Sequence, residues 1–128
     1  MKRNTLGLAV GALVILAAGT ASRAQTAAAS RPAPKRGVFT IVNKTDWDIH
    51  GVHLTPAEEN TWSENRIRAK VLARGSRVRL RVTCEEQDVK LVDAKGHSCV
   101  SESMYPCDRH ATWTLTNREL AGCATFGR

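Results

Sequence analysis

Four cysteines, Cys84, Cys99, Cys107 and Cys123, crowd into the C-terminal half of this 128-residue chain. Whether they pair depends on the compartment, because disulfides persist in oxidising surroundings and are rare in the cytosol. The N-terminus bears on that. Lys2 and Arg3 form a short positive head, Leu6 to Ala18 is an unbroken run of apolar and small residues, and Ser22-Arg23-Ala24 puts small residues at the two positions a signal peptidase reads. That order is the order of a secretory signal peptide, expected over residues 1–24. The run is about 13 residues, short of the roughly 17–25 that a spanning helix needs. No transmembrane helix is therefore expected after processing, and the competing reading is an uncleaved N-terminal anchor. A periplasmic or secreted location follows, and with it two disulfides. No C-x-x-C occurs, so neither a zinc knuckle nor a thioredoxin-type redox pair is signalled.

Residues 25–36 are rich in Ala, Ser and Pro, and that composition predicts a disordered tether. The folded part is expected over residues 37–128, about 92 residues and enough for one small domain. The chain carries 19 Lys+Arg against 12 Asp+Glu. Six of those cations, Lys2, Arg3, Arg23, Arg31, Lys35 and Arg36, precede residue 37, which leaves 13 against 12 in the domain. A domain so nearly neutral gives no support for nucleic-acid binding.

Within the domain the periodicity is that of strands. Val38 to Val42, Ile49 to Leu54, Asp88 to Asp93, His97 to Met104 and Thr112 to Thr116 are short runs bounded by turn formers. Arg77, Arg79 and Arg81 alternate with Val78, Leu80 and Val82, the pattern of a half-buried strand with a charged outer face. Arg66, Arg68 and Lys70 alternate likewise with Ile67, Ala69 and Val71. The turn Ala73-Arg74-Gly75-Ser76 is expected to pair those two segments as a hairpin, with Arg68 facing Arg81 and Lys70 facing Arg79. Pro56 to Asn65 reads as a loop pinned by Trp62. The expected fold is all-β: a small antiparallel β-sandwich or barrel of six to seven strands with two disulfides.

The turn at Ala94-Lys95-Gly96 sets a register. If the chain reverses there, paired residue numbers sum to about 190, and Cys84 faces Pro106 and Cys107. A bridge requires Cα atoms within roughly 7 Å, which this register supplies. Cys84–Cys107 is the expected bond, and Cys99–Cys123 follows by elimination.

Several of these residues together resemble a group of small exported bacterial proteins of unassigned function. They are the N-x-T turn at Asn43-Lys44-Thr45, Ile49, Pro56, Trp62 and Asn65. Leu72 with Gly75 follows, then Cys84 four residues before Asp88-Val89-Lys90-Leu91-Val92, Gly96 and Cys107. The resemblance implies export and a fold type and brings no catalytic residues. Some members of that group carry an argininosuccinate lyase label. That enzyme is a long helical chain with an active site shared between subunits, which a β domain of about 92 residues cannot build. Cys99, Cys123 and the Trp113 segment are additions to the common pattern.

No Gly-rich phosphate loop, G-x-S-x-G elbow or H-E-x-x-H is present, and no catalytic residue is expected. His50 and His53 would share a helical face, but Gly51 and Val52 between them favour a strand, where they point apart. His97 and His110 fall in or near loops. Asp46, Asp48 and Asn43 resemble calcium ligands without the glycine and distal glutamate of a calcium loop, so turn chemistry is the expectation and neither metal nor cofactor is predicted. The functional hint is the set Arg66, Arg68, Lys70, Arg77, Arg79 and Arg81. It would either dock an acidic protein or an anionic envelope surface such as lipid or lipopolysaccharide, or be a solvated face partly neutralised by Glu85, Glu86 or Glu119. The function expected is a non-catalytic binding or structural module of the cell envelope, with a small hydrolase or lyase as the competing class.

Overall fold

The structure, a computed structural model, describes residues 32–128. The signal-peptide segment 1–24 and residues 25–31 of the tether lie outside the described residues. Among the described residues, no helix is long and apolar enough to cross a membrane. Six strands and one short helix follow in order: β1 (Arg36–Asn43), β2 (Gly51–Pro56), β3 (Arg77–Thr83), β4 (Gln87–Val92), β5 (Ser98–Met104), β6 (Thr112–Leu115) and α1 (Asn117–Leu120). They form two three-stranded sheets, ordered β3-β1-β6 and β2-β4-β5.

Alternation explains what β1, β3 and β4 bury, whereas β2 is buried on both faces. Phe39, Ile41, Leu80, Val82 and Leu115 of the first sheet join Val52, Leu54, Val89, Leu91, Cys99 and Met104 of the second in one core. Each fully buried side chain of this size contributes roughly 1.5–3 kcal/mol. Trp113 stacks on Phe39 with ring centroids 6.3 Å apart. At the end of β1 the buried Asn43 satisfies itself completely. Its Nδ2 donates to the carbonyls of Trp47 (2.8 Å) and Leu72 (3.0 Å), and its Oδ1 accepts from Thr45 N and Oγ1. The N-x-T turn is therefore a structural device.

The β4–β5 hairpin follows the expected register, Val92↔Ser98 through Val89↔Ser101. Its turn is built on Asp93, whose Oδ1 accepts the amides of Lys95 and His97. An irregularity then adds one residue before Gln87↔Met104. Ser103 takes a positive φ there and donates its amide to Asp88 Oδ1 at 3.0 Å. That extra residue brings Cys84 level with Cys107. The bonds are Cys84–Cys107 and Cys99–Cys123, with Cα atoms 5.2 and 5.5 Å apart. They span 23 and 24 residues, and each loop closure of that length is worth roughly 3 kcal/mol on the chain-entropy model. Gly37 sits against the first bond. A Cβ there would lie 2.3 Å from Cys107 Sγ, so only glycine lets β1 pass so close.

Two expectations fail. The first is the hairpin between 66–71 and β3. Residues 66–69 form turns, Arg68 has φ 55°, and β3 pairs with β1 instead, Arg81↔Val38 through Arg77↔Val42. The alternation upstream was only apparent: Ile67 is buried, while Ala69 and Val71 are exposed. Asn65 organises the segment, accepting from Val52 N and Ile67 N and donating to the carbonyls of His50 and Arg68. Arg68 and Lys70 therefore do not face Arg81 and Arg79. The turn at Ala73–Ser76 does form, with Ser76 N on Ala73 O at 3.0 Å. The second failure is the wholly antiparallel sheet. β6 runs parallel to β1, Thr40↔Thr112 through Asn43↔Leu115, because the chain crosses from the second sheet back to the first through Tyr105–Ala111. A smaller difference lies at the boundary. Arg36, assigned to the tether, opens β1, and Lys35 O accepts the amide of Cys84.

Candidate anion-binding face

β3 is an edge strand with β1 as its neighbour. Leu80 and Val82 enter the core and Val78 is half-buried, while Arg77, Arg79 and Arg81 are exposed. Opposite them in β1 stand Val42, Thr40 and Val38, so no cation faces a cation across this pair. Thr112 and Thr114 of β6 continue the same outer face.

Along the free side of β3 runs a groove of about 920 Å³, with the 66–72 segment as its far wall. Arg66, Arg68 and Lys70 line one side and Arg77 and Arg79 the other. The structure thus brings together five of the six expected cations, by a route other than strand pairing. The sixth, Arg81, stands just beyond, where Arg66 Nη2 donates to Arg81 O at 2.5 Å. Arg66 and Arg81 also line an adjoining pocket of about 430 Å³ with Arg36 and Trp62. Lys90 Nζ lies 4.6 Å from the centre of the Trp62 ring, a cation–π contact that holds the indole at this rim. The sequence reading missed Arg36, whose position next to Gly37 and Val38 was the available signal.

Among the described residues, no carboxylate lies within salt-bridge distance of any of these six cations. The three acids expected to neutralise them are engaged elsewhere. Glu85 accepts from Thr83 Oγ1 at 2.7 Å. The Ser103 hydroxyl and then the Tyr105 phenol, both beside Glu86, hold its carboxyl below the usual carboxylate range against the opposing effect of burial, and Glu86 in turn raises the Tyr105 phenol. Glu119 belongs to a capping box at the start of α1, where the Thr116 hydroxyl and amide lower it. Carboxylates gather instead in a separate cleft of about 560 Å³ lined by Glu58, Glu59, Glu85, Glu86, Asp88 and Glu102. A domain of almost zero net charge therefore carries two segregated fields. That was invisible in the sequence, because the six acids come from three separate stretches.

The remaining candidates have structural partners. His53 lies in β2 with Nδ1 2.9 Å from Ser63 O. Asp46 Oδ2 accepts from Asn117 Nδ2, and Asp48 Oδ1 accepts the amide of Arg74. His97 Nδ1 contacts Asp93 Oδ2 at 3.1 Å. His110 Nδ1 accepts the amide of Tyr105, whose ring lies under the Arg109 guanidinium at 4.0 Å. Among the described residues, no group of three or more His, Cys, Asp or Glu is placed to hold a metal ion.

Comparison with family models, with curated proteins and with solved structures finds no match.

Proposed function

We propose that this chain is a non-catalytic binding module of the cell envelope, exported to an oxidising compartment, whose cationic groove and face hold an anionic partner. The two sheets share one core, and we read them as the layers of a small sandwich. Two disulfides in so small a domain support the oxidising compartment. One observation carries the binding reading: Arg66, Arg68, Lys70, Arg77 and Arg79 converge on one groove while the domain's carboxylates lie elsewhere. Arginine stays charged at any physiological pH and suits carboxylate and phosphate. A merely solvated face would intersperse both signs, because unmatched like charges repel.

The test is binding to anionic vesicles, to lipopolysaccharide and to acidic polypeptide at two salt concentrations. The purified protein is compared with an R77S/R79S double variant. Affinity for at least one of these should fall as salt rises, because exposed charges are screened beyond about 8 Å at physiological ionic strength. The double variant should bind about tenfold more weakly or worse, the equivalent of roughly 1.4 kcal/mol. Absence of salt-sensitive binding to all three would remove the reading.

A further inference from the structure

We propose that the groove beside β3 accepts an extended acidic peptide as an added strand, with its main chain bonded to Arg77 and Arg79. This rests on the anion-binding reading and goes further, to the kind of partner and the way it is held.

The direction of the β3 main chain can be read from its neighbours. Ser76 O accepts from Asn43 N, and Cys84 N donates to Lys35 O. Even-numbered residues therefore turn their peptide groups toward β1. In an antiparallel pair the alternate residues turn both N–H and C=O the other way. Arg77, Arg79 and Arg81 therefore present theirs to the groove. Arg66 shows this directly, since its guanidinium reaches the outward carbonyl of Arg81. Among the described residues, the 66–72 segment makes no main-chain hydrogen bond to β3. Its own bonds go to Asn65, Ile67, Ile49 and Val52. Two residues of strand edge thus face a groove with room for another chain. Strand edges are the usual seat of peptide addition.

Charge and face then specify the occupant. An added strand places every second side chain on the outer face beside Arg77 and Arg79, with Arg68 and Lys70 across the groove. Those positions call for Asp or Glu. The alternate positions turn inward, toward Ile67, Leu72, Val78 and Leu80, and call for small apolar residues. The fitting partner is a chain that alternates acidic and apolar residues over about five positions. The protein's own segment 25–36 has three cations and no acid, which excludes it as the occupant. A flat lipid surface meets the arginine side chains but not the peptide groups inside the groove.

The experiment compares three synthetic peptides against the purified protein with both disulfides intact. One is Glu-Val-Glu-Val-Glu-Val, one is the same peptide with alternate backbone nitrogens methylated, and one is the block sequence Glu-Glu-Glu-Val-Val-Val. Phosphatidylglycerol vesicles form a fourth arm. The alternating peptide should bind at least about tenfold more tightly than its methylated form, and should slow amide exchange at Arg77 and Arg79. Equal binding of all three peptides would overturn strand addition while leaving anion binding intact. Binding to vesicles alone would do the same in favour of a membrane. No binding in any arm would overturn both. Sedimentation showing a dimer whose dissociation speeds exchange at Arg77 and Arg79 would assign the edge to a second copy and overturn the peptide.

Discussion

β2 and β3 are both edge strands, and the chain treats them oppositely. The β2 edge is covered by residues that follow it. Ser63 N donates to Leu54 O, Leu54 N to Ser63 Oγ, Arg66 N to Val52 O, and Val52 N to Asn65 Oδ1. A short irregular segment thereby performs the office of a neighbouring strand. The β3 edge receives side-chain contacts at its C-terminal end, from Arg66 to Arg81 O and from Gln87 Nε2 to Thr83 O, and beside Arg77 and Arg79 it meets a cationic groove. An uncovered edge invites aggregation, and charged side chains are a common guard against it. Cations every second residue repel a second β3 while admitting a chain of opposite charge. One edge is closed by hydrogen bonds from its own chain, and the other is left to the charge of its side chains.

The covered β2 edge depends most on Asn65. Replacing Asn65 with Ala removes four hydrogen bonds. It also leaves the amide of Val52, a buried residue, without an acceptor. The expected loss is roughly 2–3 kcal/mol, the cost of such an orphaned donor together with lost turn bonds. Urea unfolding measures it. Amide exchange should speed up at Val52 and Leu54 and stay unchanged at Leu80. Unchanged exchange at Val52 would show that the covering of β2 does not depend on Asn65.

Legibility divides along the same line. Turns decided within a few residues could be read: Asp93 with Gly96, Ala73 with Ser76, and the register that pairs Cys84 with Cys107. The arginine alternation in β3 could also be read, because Leu80 and Val82 mark the inner face. The neighbour of β3 could not. Segment 66–71 imitates a strand, and bonds to residues more than ten positions away, from Arg66 N to Val52 O, from Val52 N to Asn65 Oδ1 and from Asn65 Nδ2 to His50 O, make it a cover. The parallel β1–β6 pair, the place of Gly37 against a disulfide and the gathering of six scattered acids are likewise products of long-range packing, which a local pattern does not encode. The cationic residues were legible as a set, but the groove that five of them line was not.

A second held region sharpens the contrast. The C-terminal tail is fastened to the β4–β5 turn by Asp93 Oδ2, which accepts the amide of Gly127 at 2.8 Å, with Phe126 buried beside it. Burial pushes the Asp93 carboxyl up. The amides of Gly127, His97 and Lys95 and the His97 ring outweigh it and hold the group at about 2. The unfolded chain takes up that proton near pH 4. The contribution of Asp93 is therefore complete above about pH 4, and is lost as pH falls through about 2. Asp93→Asn should lose it at neutral pH, because an amide group at Oδ2 would oppose the Gly127 N–H. Acid titration of unfolding followed by Trp fluorescence should show the steep limb in the wild type and a flatter one in the variant. Parallel limbs would refute the assignment.

The smallest effect is expected at the open edge itself. Arg79→Ser should change stability by less than about 0.5 kcal/mol, since an exposed side chain without a partner leaves nothing unsatisfied when shortened. Arg66→Ser is the informative control. Arg66 stands on the same groove with the same charge, but its guanidinium holds Arg81 O. It should cost about 1 kcal/mol, the net worth of one such hydrogen bond. If Arg79→Ser destabilised as much as Arg66→Ser, Arg79 would be part of the packing and the β3 edge would be held rather than open. If neither changed stability while both weakened anion binding, the whole cationic set would be free for a partner, and the Arg66 contact would add nothing to the fold.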